Sequence, residues 1–432
     1  MKVELEWLKF IGSEGMIKLN NETKLSFSQE QVKFLDSIID NFDLNSASRI
    51  KTIEQTTNHD VKAVEYYIKE QISSFHDKTL QEIKEYVHFC CTSEDINNLS
   101  YALMLTDSKN LQIVPLQQKI LNKLSQMANE SASISMLSRT HGQSASPTTM
   151  GKEIANFVYR LNRQCNYLKN HKFSGKINGA VGNFNAHYFV YPEYNWSEIC
   201  HRFVDKSLKL EYNPYTTQIE PHDSVAEFCS HLNIFNTILI GMSQDFWHYI
   251  SLGSFHQKTL ETEVGSSTMP HKVNPIDFEN CEGNLGLSNG LSEFIVRKLL
   301  ISRFQRDLSD STVMRNLGSI LGYSMMAYQS LNKGLGKLTV NKEKIEKELN
   351  EHWEVLAEPI QMLMRKLNVE GAYEQLKALT RGKDVKREDI EGMIEGLKLE
   401  EGEKKRLRGL KVWNYVGNAE EMAKNIKKNA KL

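Results

Sequence analysis

Proline is nearly missing from this chain. Eight occur in 432 residues, about 2% where ~5% is usual. Proline inside a helix removes a hydrogen bond and clashes with the preceding turn, so its scarcity leaves room for long helices. An excess of either charge is missing too, since 53 basic residues against 54 acidic ones leave a net charge of −1. That balance excludes bulk-charge binding of nucleic acid or of an anionic membrane as the main activity, but not a local basic pocket for a small anion. The six cysteines, Cys90, Cys91, Cys165, Cys200, Cys229 and Cys281, include no CxxC pair. A zinc ribbon and a disulfide framework are therefore not expected, and reduced thiols in the cytoplasm are. Long apolar runs are absent: Ile238-Leu239-Ile240 falls far short of the ~20 residues that span a bilayer. The charged start MKVELEWLKF lacks the apolar centre of a signal peptide. The expectation is a soluble cytoplasmic protein of two to four domains, at roughly 100–200 residues each.

Helical periodicity is what the sequence has in quantity. Val225, Phe228, Leu232, Phe235, Leu239, Met242, Phe246 and Ile250 recur at steps of three and four, which keeps one apolar seam on one face of a helix. Ser224 with Glu227 fits a capping box at its start. Ile154, Phe157, Val158, Leu161, Cys165 and Leu168 repeat the spacing. A third helix is expected from near Leu99 towards Met127, with Pro115 as a kink or break. Residues 294–337 read as one or two more. Strand signals are few, and Tyr188-Phe189-Val190-Tyr191 is the best of them. Such long helices favour an extended bundle, so the expected fold class is all-α. Charge clusters after residue 337, among them Lys404-Lys405-Arg406, read as solvated helix faces rather than a nucleic-acid patch.

Glycine-bearing and polar segments, Thr92-Ser93-Glu94-Asp95, Thr140-His141-Gly142-Gln143, Gly175 to Asn185 and Gly265 to Asn274, separate these helices and read as loops. Thr140-His141-Gly142-Gln143 is a weak signal alone. A histidine beside a glycine is more often structural than catalytic, although its side chain is the one best able to exchange a proton near neutrality. The segment Gly265-Ser266-Ser267-Thr268-Met269-Pro270-His271-Lys272-Val273-Asn274-Pro275 is far more specific. It concentrates hydroxyls, a fixed positive charge and an amide, which suits a carboxylate on which negative charge grows.

Gly-Ser-Ser-x-Met-Pro-x-Lys-x-Asn resembles the signature loop of the fumarase/aspartase superfamily. Six further segments agree and are similar to its adenylosuccinate lyase family in the bacterial form. They are residues 56–65 around Asn58-His59-Asp60, residues 91–98 around Thr92-Ser93, Ser138-Arg139-Thr140-His141-Gly142-Gln143, the glycine-rich residues 175–183, and the two stretches Thr217-Gln218-Ile219-Glu220-Pro221-His222-Asp223 and 306–316. The likeness runs from about residue 3 to the C-terminus. It implies an all-α, three-domain fold with a central long-helix bundle, divided here at 1–91, 92–336 and 337–432. It also implies a homotetramer whose active sites are shared between subunits.

The implied reaction is β-elimination of fumarate from adenylosuccinate to give AMP, and from the succinylated aminoimidazole-carboxamide ribotide, in purine nucleotide biosynthesis. By position, Ser266 matches the catalytic base, with Ser267 left as the alternative hydroxyl; His141 matches the general acid, and Glu279 the carboxylate that orients it. The implied substrate-binding set is Asn58, His59, Asp60, Thr92, Ser93, Gln218, Lys272, Val273, Asn274, Asn280, Arg306, Ser311, Thr312, Val313, Met314 and Arg315. Lys272, Asn274, Thr92 and Ser93 suit the succinyl carboxylates. Arg306 and Arg315 suit the phosphate, which a guanidinium fork grips at two points. No metal and no organic cofactor is expected, because no His, Cys or carboxylate set has ligand spacing and the elimination needs none. The alternatives are another fumarate-releasing lyase, argininosuccinate lyase-like, or a non-catalytic structural homologue. Bacterial members also carry a leading segment whose Arg and Tyr help hold the phosphate. This chain opens on Glu4-Leu5-Glu6-Trp7-Leu8-Lys9-Phe10-Ile11, which resembles the helix after that segment, so the expectation is either a true start further upstream or a naturally short chain with a weaker phosphate grip.

Overall fold

A computed structural model describes residues 1–19, 23–258, 269, 271–382 and 385–432. The described residues are mostly helical, with four two-stranded sheets. None of their helices is long and apolar enough to cross a membrane. The chain packs as two compact units, one of residues 1–112, 170–230 and 292–318, the other of residues 113–169, 231–291 and 319–432.

In the second unit the apolar seams do what their spacing requires. Leu232, Phe235, Leu239, Met242 and Phe246, from the helix Asp223–Ser251, are buried, as are Ile154, Phe157, Val158, Leu161, Cys165 and Leu168 from Met150–Asn170. Helices Val114–Glu130, Ile276–Leu299 and Leu317–Lys337 complete the bundle. A buried polar network sets their register. Tyr328 donates to Asn236 Oδ1 at 2.5 Å, Asn236 donates to Ser324 Oγ at 3.1 Å, and Gln117 donates to Tyr328 Oη at 3.3 Å. Each of these groups is away from water and would be costly unpaired. The C-terminal helices have their own apolar core of Trp353, Leu356, Ile360, Met364, Ile390 and Val412, into which Leu137 inserts.

Three local expectations are corrected. Tyr188-Phe189-Val190 is not a strand but belongs to the helix Asn185–Val190, which Phe184 opens with a left-handed φ of 57°. One turn of helix buries His187 alone and leaves the three apolar neighbours exposed, a pattern that period-two reading mistakes for a strand. Ser224 lies inside its helix rather than capping it, and its hydroxyl accepts the Ser174 N–H at 3.0 Å. Pro115 does not end the helical run: the helix Ser93–Ser108 passes through a π-turn, Lys109–Ile113, into Val114–Glu130, so the α-helical ladder is disturbed just before the proline rather than broken at it. Pro115 sits in the first turn of that last helix, where a missing N–H is tolerated.

The first unit is tied by a buried charge pair. Lys176 Nζ lies 2.9 Å from Asp95 Oδ1, with both side chains fully removed from solvent. Asp95 also accepts the N–H groups of Thr92 at 2.8 Å, Asn178 at 3.0 Å and Gly179 at 3.1 Å, while Lys176 donates to Gly179 O at 2.9 Å. Asn98 closes the knot, accepting from Lys176 N at 2.8 Å and donating to Lys176 O at 3.0 Å. Backbone groups of four residues, Thr92, Lys176, Asn178 and Gly179, are thus satisfied around one ion pair. Just upstream, His88 Nδ1 meets the fully buried Glu4 Oε1 at 2.7 Å, pinning the helix Lys2–Ser13. Burial alone would lower the His88 imidazolium, but the hydrogen bond and charge of Glu4 outweigh it and hold the group above its ordinary value.

Two outcomes are expected. Asp95→Asn leaves Lys176 charged, buried and unpaired, and should lower stability by about 3–5 kcal/mol; an unchanged urea midpoint would show that the pair is not the anchor. The raised His88 value means that its clamp stabilises fully below pH ~6.5 and fades as pH rises through the folded value. The stability advantage of the parent over His88→Asn, roughly 1.5–3 kcal/mol at pH 6, should therefore shrink towards pH 9. A pH-independent difference in thermal midpoints would rule this out.

Candidate active site

The first unit holds Asn58, His59, Asp60, Thr92, Ser93, Gln218, Arg306 and residues 311–315. Asn58 ends the helix Leu44–Thr57 in the left-handed conformation, φ 50°, which asparagine tolerates well. His59 then caps Asp60–Ser74, its Nδ1 accepting the Lys62 N–H at 3.3 Å. With Nδ1 an acceptor, the ring proton belongs on Nε2, which lies 3.2 Å from Ser93 Oγ. Two predicted site segments therefore meet through one tautomer. Thr92 and Ser93 are not a loop but the start of the helix Ser93–Ser108, where Asp95 receives the Thr92 N–H.

Arg306 is the electrostatic centre of this group. Its Nη1 donates to Gln218 Oε1 at 3.2 Å, and its Nη2 lies 3.1 Å from Glu94 Oε2. Gln218 in turn donates to Ala180 O at 3.0 Å. Arg306 and Gln218 line a cleft of about 380 Å³ with Ala180, Val181 and Phe304. Burial pushes the Glu94 carboxyl up to about 7 despite Arg306. Asp310, 3.6 Å from His222 Nε2, goes the other way. Burial would raise it, but His222, the Ser311 N–H and Arg306 together hold it below the usual carboxylate range. Arg315 and Asp60 both act on the half-buried phenol of Tyr101, which also feels Glu94 and Asp310. Ser311 is half-buried, while Thr312 and Arg315 are exposed on the helix Ser309–Met314 and just after it. Val313 and Met314 are buried, leaving them only backbone groups to offer a ligand.

The second unit holds His141, Lys272, Val273, Asn274, Glu279 and Asn280. His141 and Gly142 form the two-residue tip of a hairpin, Ser135–Thr140 with Gln143–Thr149, and have φ of 54° and 75°. Two positive φ values in a two-residue connection are the turn that matches strand twist. The hairpin is held by ion pairing of Arg139 with Glu348, a Ser146–Glu358 hydrogen bond, and Ser135 donating to Trp413 O at 2.7 Å. His141 itself is exposed and has no hydrogen-bond partner among the described residues. Glu279, on the helix Ile276–Leu299, accepts the indole N–H of Trp247 at 3.1 Å. Val273 O accepts from Gln257 at 3.2 Å, and Asn280 O from Asn284 at 2.8 Å. Lys272 is exposed and Asn274 half-buried. Ser266 and Ser267 lie outside the described residues.

Glu94, Asp95, Tyr101, Lys176 and Trp247 were not singled out from sequence. Glu94 and Asp95 stand within residues 91–98, next to Thr92 and Ser93, and two acids in the first turn of a helix pass for ordinary dipole partners. Lys176 carried one usable signal, a lone charge within the run Gly175-Lys176-Ile177-Asn178-Gly179.

Residues 3–287 match the family described as Lyase, and residues 302–416 match that described as Adenylosuccinate lyase C-terminal. The adenylosuccinate lyase of Escherichia coli (strain K12) is 50% identical over 427 residues, covering 99% of this chain and 92% of that protein. That of Haemophilus influenzae is 51% identical over 425 residues, covering 98% and 91%. Among solved structures, the 3-carboxy-cis,cis-muconate lactonizing enzyme from Pseudomonas putida superposes with a TM-score of 0.77 at 19% identity, over 99% of this chain and 94% of that one. The fumarate lyase from Mesorhizobium sp. BNC1 does so with 0.77 at 17%, over 98% and 93%. These two likenesses concern the fold. The matches in sequence are collinear with the chain almost end to end, and it belongs to the adenylosuccinate lyase family.

Proposed function

We propose that this chain cleaves adenylosuccinate to AMP and fumarate, and the succinylated aminoimidazole-carboxamide ribotide in the same way. The observation that carries the reading is identity of about one residue in two with adenylosuccinate lyases across 99% of the chain. Ser266 takes the proton from the succinyl carbon next to the one bearing nitrogen. The electron pair left behind is first stabilised in the adjacent carboxylate, which Lys272, Asn274, Thr92 and Ser93 bind. It then forms the double bond of fumarate as the carbon–nitrogen bond breaks, and His141 protonates the departing nitrogen. A serine hydroxyl is a weak acid, so its alkoxide needs the charge of Lys272 and nearby N–H donors. Glu279 orients and charges His141. Arg306 and Arg315 hold the phosphate, with Asn58, His59, Asp60, Gln218, Asn280 and residues 311–315 completing the binding surface. No metal or cofactor takes part.

The working form in this reading is a cytoplasmic homotetramer with shared active sites. An exposed His141 at a rigid hairpin tip, with Glu279 engaged by Trp247, is suited to a site completed by another copy. The three-domain division at 1–91, 92–336 and 337–432 is retained; the separate apolar core around Trp353 and Ile394 supports its last member.

The test is the fall in ultraviolet absorbance as the purified protein is incubated with adenylosuccinate. Cleavage is expected, together with an intact mass of four chains. Cleavage of argininosuccinate with adenylosuccinate untouched would reject the reading. His141→Gln should slow turnover on the order of 10²–10⁴-fold, the usual share of one acid–base group, and Ser266→Ala should nearly abolish it. A His141→Gln loss below about tenfold would assign the proton to another residue.

A further inference from the structure

Beside the proposed phosphate grip stands a buried carboxylate that the elimination does not use. Glu94 is 5% exposed, and its Oε2 lies 3.1 Å from Arg306 Nη2. Arg306 gives its other terminal nitrogen to Gln218, and its Nε–H is buried without a partner. Around Glu94 stand Arg306 and Asp310 from residues 302–316, His222 from the residues before the helix Asp223–Ser251, Lys176 from residues 175–183, and Tyr101 from its own helix. Arg306 is the only one of these in ion-pair contact with it among the described residues. An incoming phosphate would compete with Glu94 for the same guanidinium. Two anions around one cation, one of them the buried Glu94, drive the weaker acid to take up a proton.

Building on the reading of Arg306 as a phosphate ligand, we propose that Glu94 is a positioning residue: it holds Arg306 in the empty site and releases it to the nucleotide phosphate by taking up a proton. With the carboxyl already pushed up to about 7 by burial, that exchange falls in the physiological range. Its direction is fixed. The free protein carries the carboxylate above pH 7 and the complex favours the neutral acid, so nucleotide affinity falls as pH rises, by at most tenfold per pH unit. A glutamine in its place is a permanent copy of the neutral form. Glu94→Gln should therefore bind nucleotide with little pH dependence, and at pH 9 more tightly than the parent, by roughly 50- to 100-fold.

The experiment is calorimetry of AMP binding to the intact protein at pH 8, in two buffers of different ionisation enthalpy, with Michaelis constants for adenylosuccinate at pH 7–9 alongside. Above pH 7 the phosphate, whose second pKa is about 6, is already a dianion and contributes little. Uptake of close to one proton per site by the parent and almost none by Glu94→Gln is expected. A parent that binds AMP and cleaves substrate without proton uptake overturns this inference alone, and that measurement needs no variant. Weaker AMP binding by Glu94→Gln at every pH would make Glu94 a plain anchor and also overturn it. A parent with neither cleavage nor AMP binding overturns the functional reading and this inference together.

Discussion

Lys176 and Asp95 face each other where water cannot reach either of them, and the geometry around Arg306 follows from that. A buried charge without its partner costs several kcal/mol, so neither can leave and neither can turn. Backbone groups add to both: Thr92, Asn178 and Gly179 donate to the carboxylate, and Gly179 accepts from the ammonium. The start of the helix Ser93–Ser108 and the glycine-rich residues 175–183 are thereby locked together. From there the order propagates. Ala180 O receives the Gln218 amide, and Gln218 receives Arg306. A guanidinium far along the chain is aimed by an ion pair it never touches.

The parts of this protein legible from sequence are those set by repetition. The apolar seam at 225–246 is buried because a spacing of three and four can face only one way on a helix. Of the dense polar segments, Thr140-His141-Gly142-Gln143 does hold a turn, whereas Thr92-Ser93-Glu94-Asp95 opens a helix and Lys176 and Asn178 are buried. What escaped was set by contact at a distance. Asp95 and Lys176 are 81 positions apart, and nothing in either neighbourhood says that one neutralises the other. The hairpin around His141 escaped for a different reason. Ser135–Thr140 and Gln143–Thr149 have weak alternation and are held by partners in the C-terminal helices, Glu348 and Glu358, so tertiary contact overrides modest local propensity. At 185–190 the reverse happened. Aromatic and β-branched side chains promised a strand, while the backbone at Phe184 turned the chain into a helix.

A net charge of −1 describes the chain as a whole and conceals how charge is placed. Much of it is spent on exposed pairs such as Arg49–Glu70, each worth little in water. A few charges are buried, and there the same groups act strongly on each other. Glu94 and Asp310 sit in one neighbourhood with Arg306 yet shift in opposite directions. Asp310 has His222 and the Ser311 N–H besides Arg306, whereas Glu94 has only a guanidinium that is shared with Gln218. The number of donors around each carboxylate, rather than its depth alone, decides which one stays ionised.

His141 shows the opposite strategy, precision from backbone rather than from buried charge. A histidine at φ 54° gives up roughly 1–2 kcal/mol relative to a right-handed conformation. Glycine would remove that cost, and Gly142 beside it uses the same freedom, but glycine has no ring to exchange a proton. The cost is offset along the strands: Leu137 is buried in the C-terminal core, Arg139 pairs with Glu348, and Ser146 bonds Glu358. All three contacts lie within a few residues of the tip, so the ring inherits the rigidity of the hairpin while remaining exposed. A side chain on a long surface loop would be as exposed but would have to be ordered anew at each turnover. Placing the proposed proton donor on a strained, well-anchored turn meets that ordering cost during folding, before any substrate arrives.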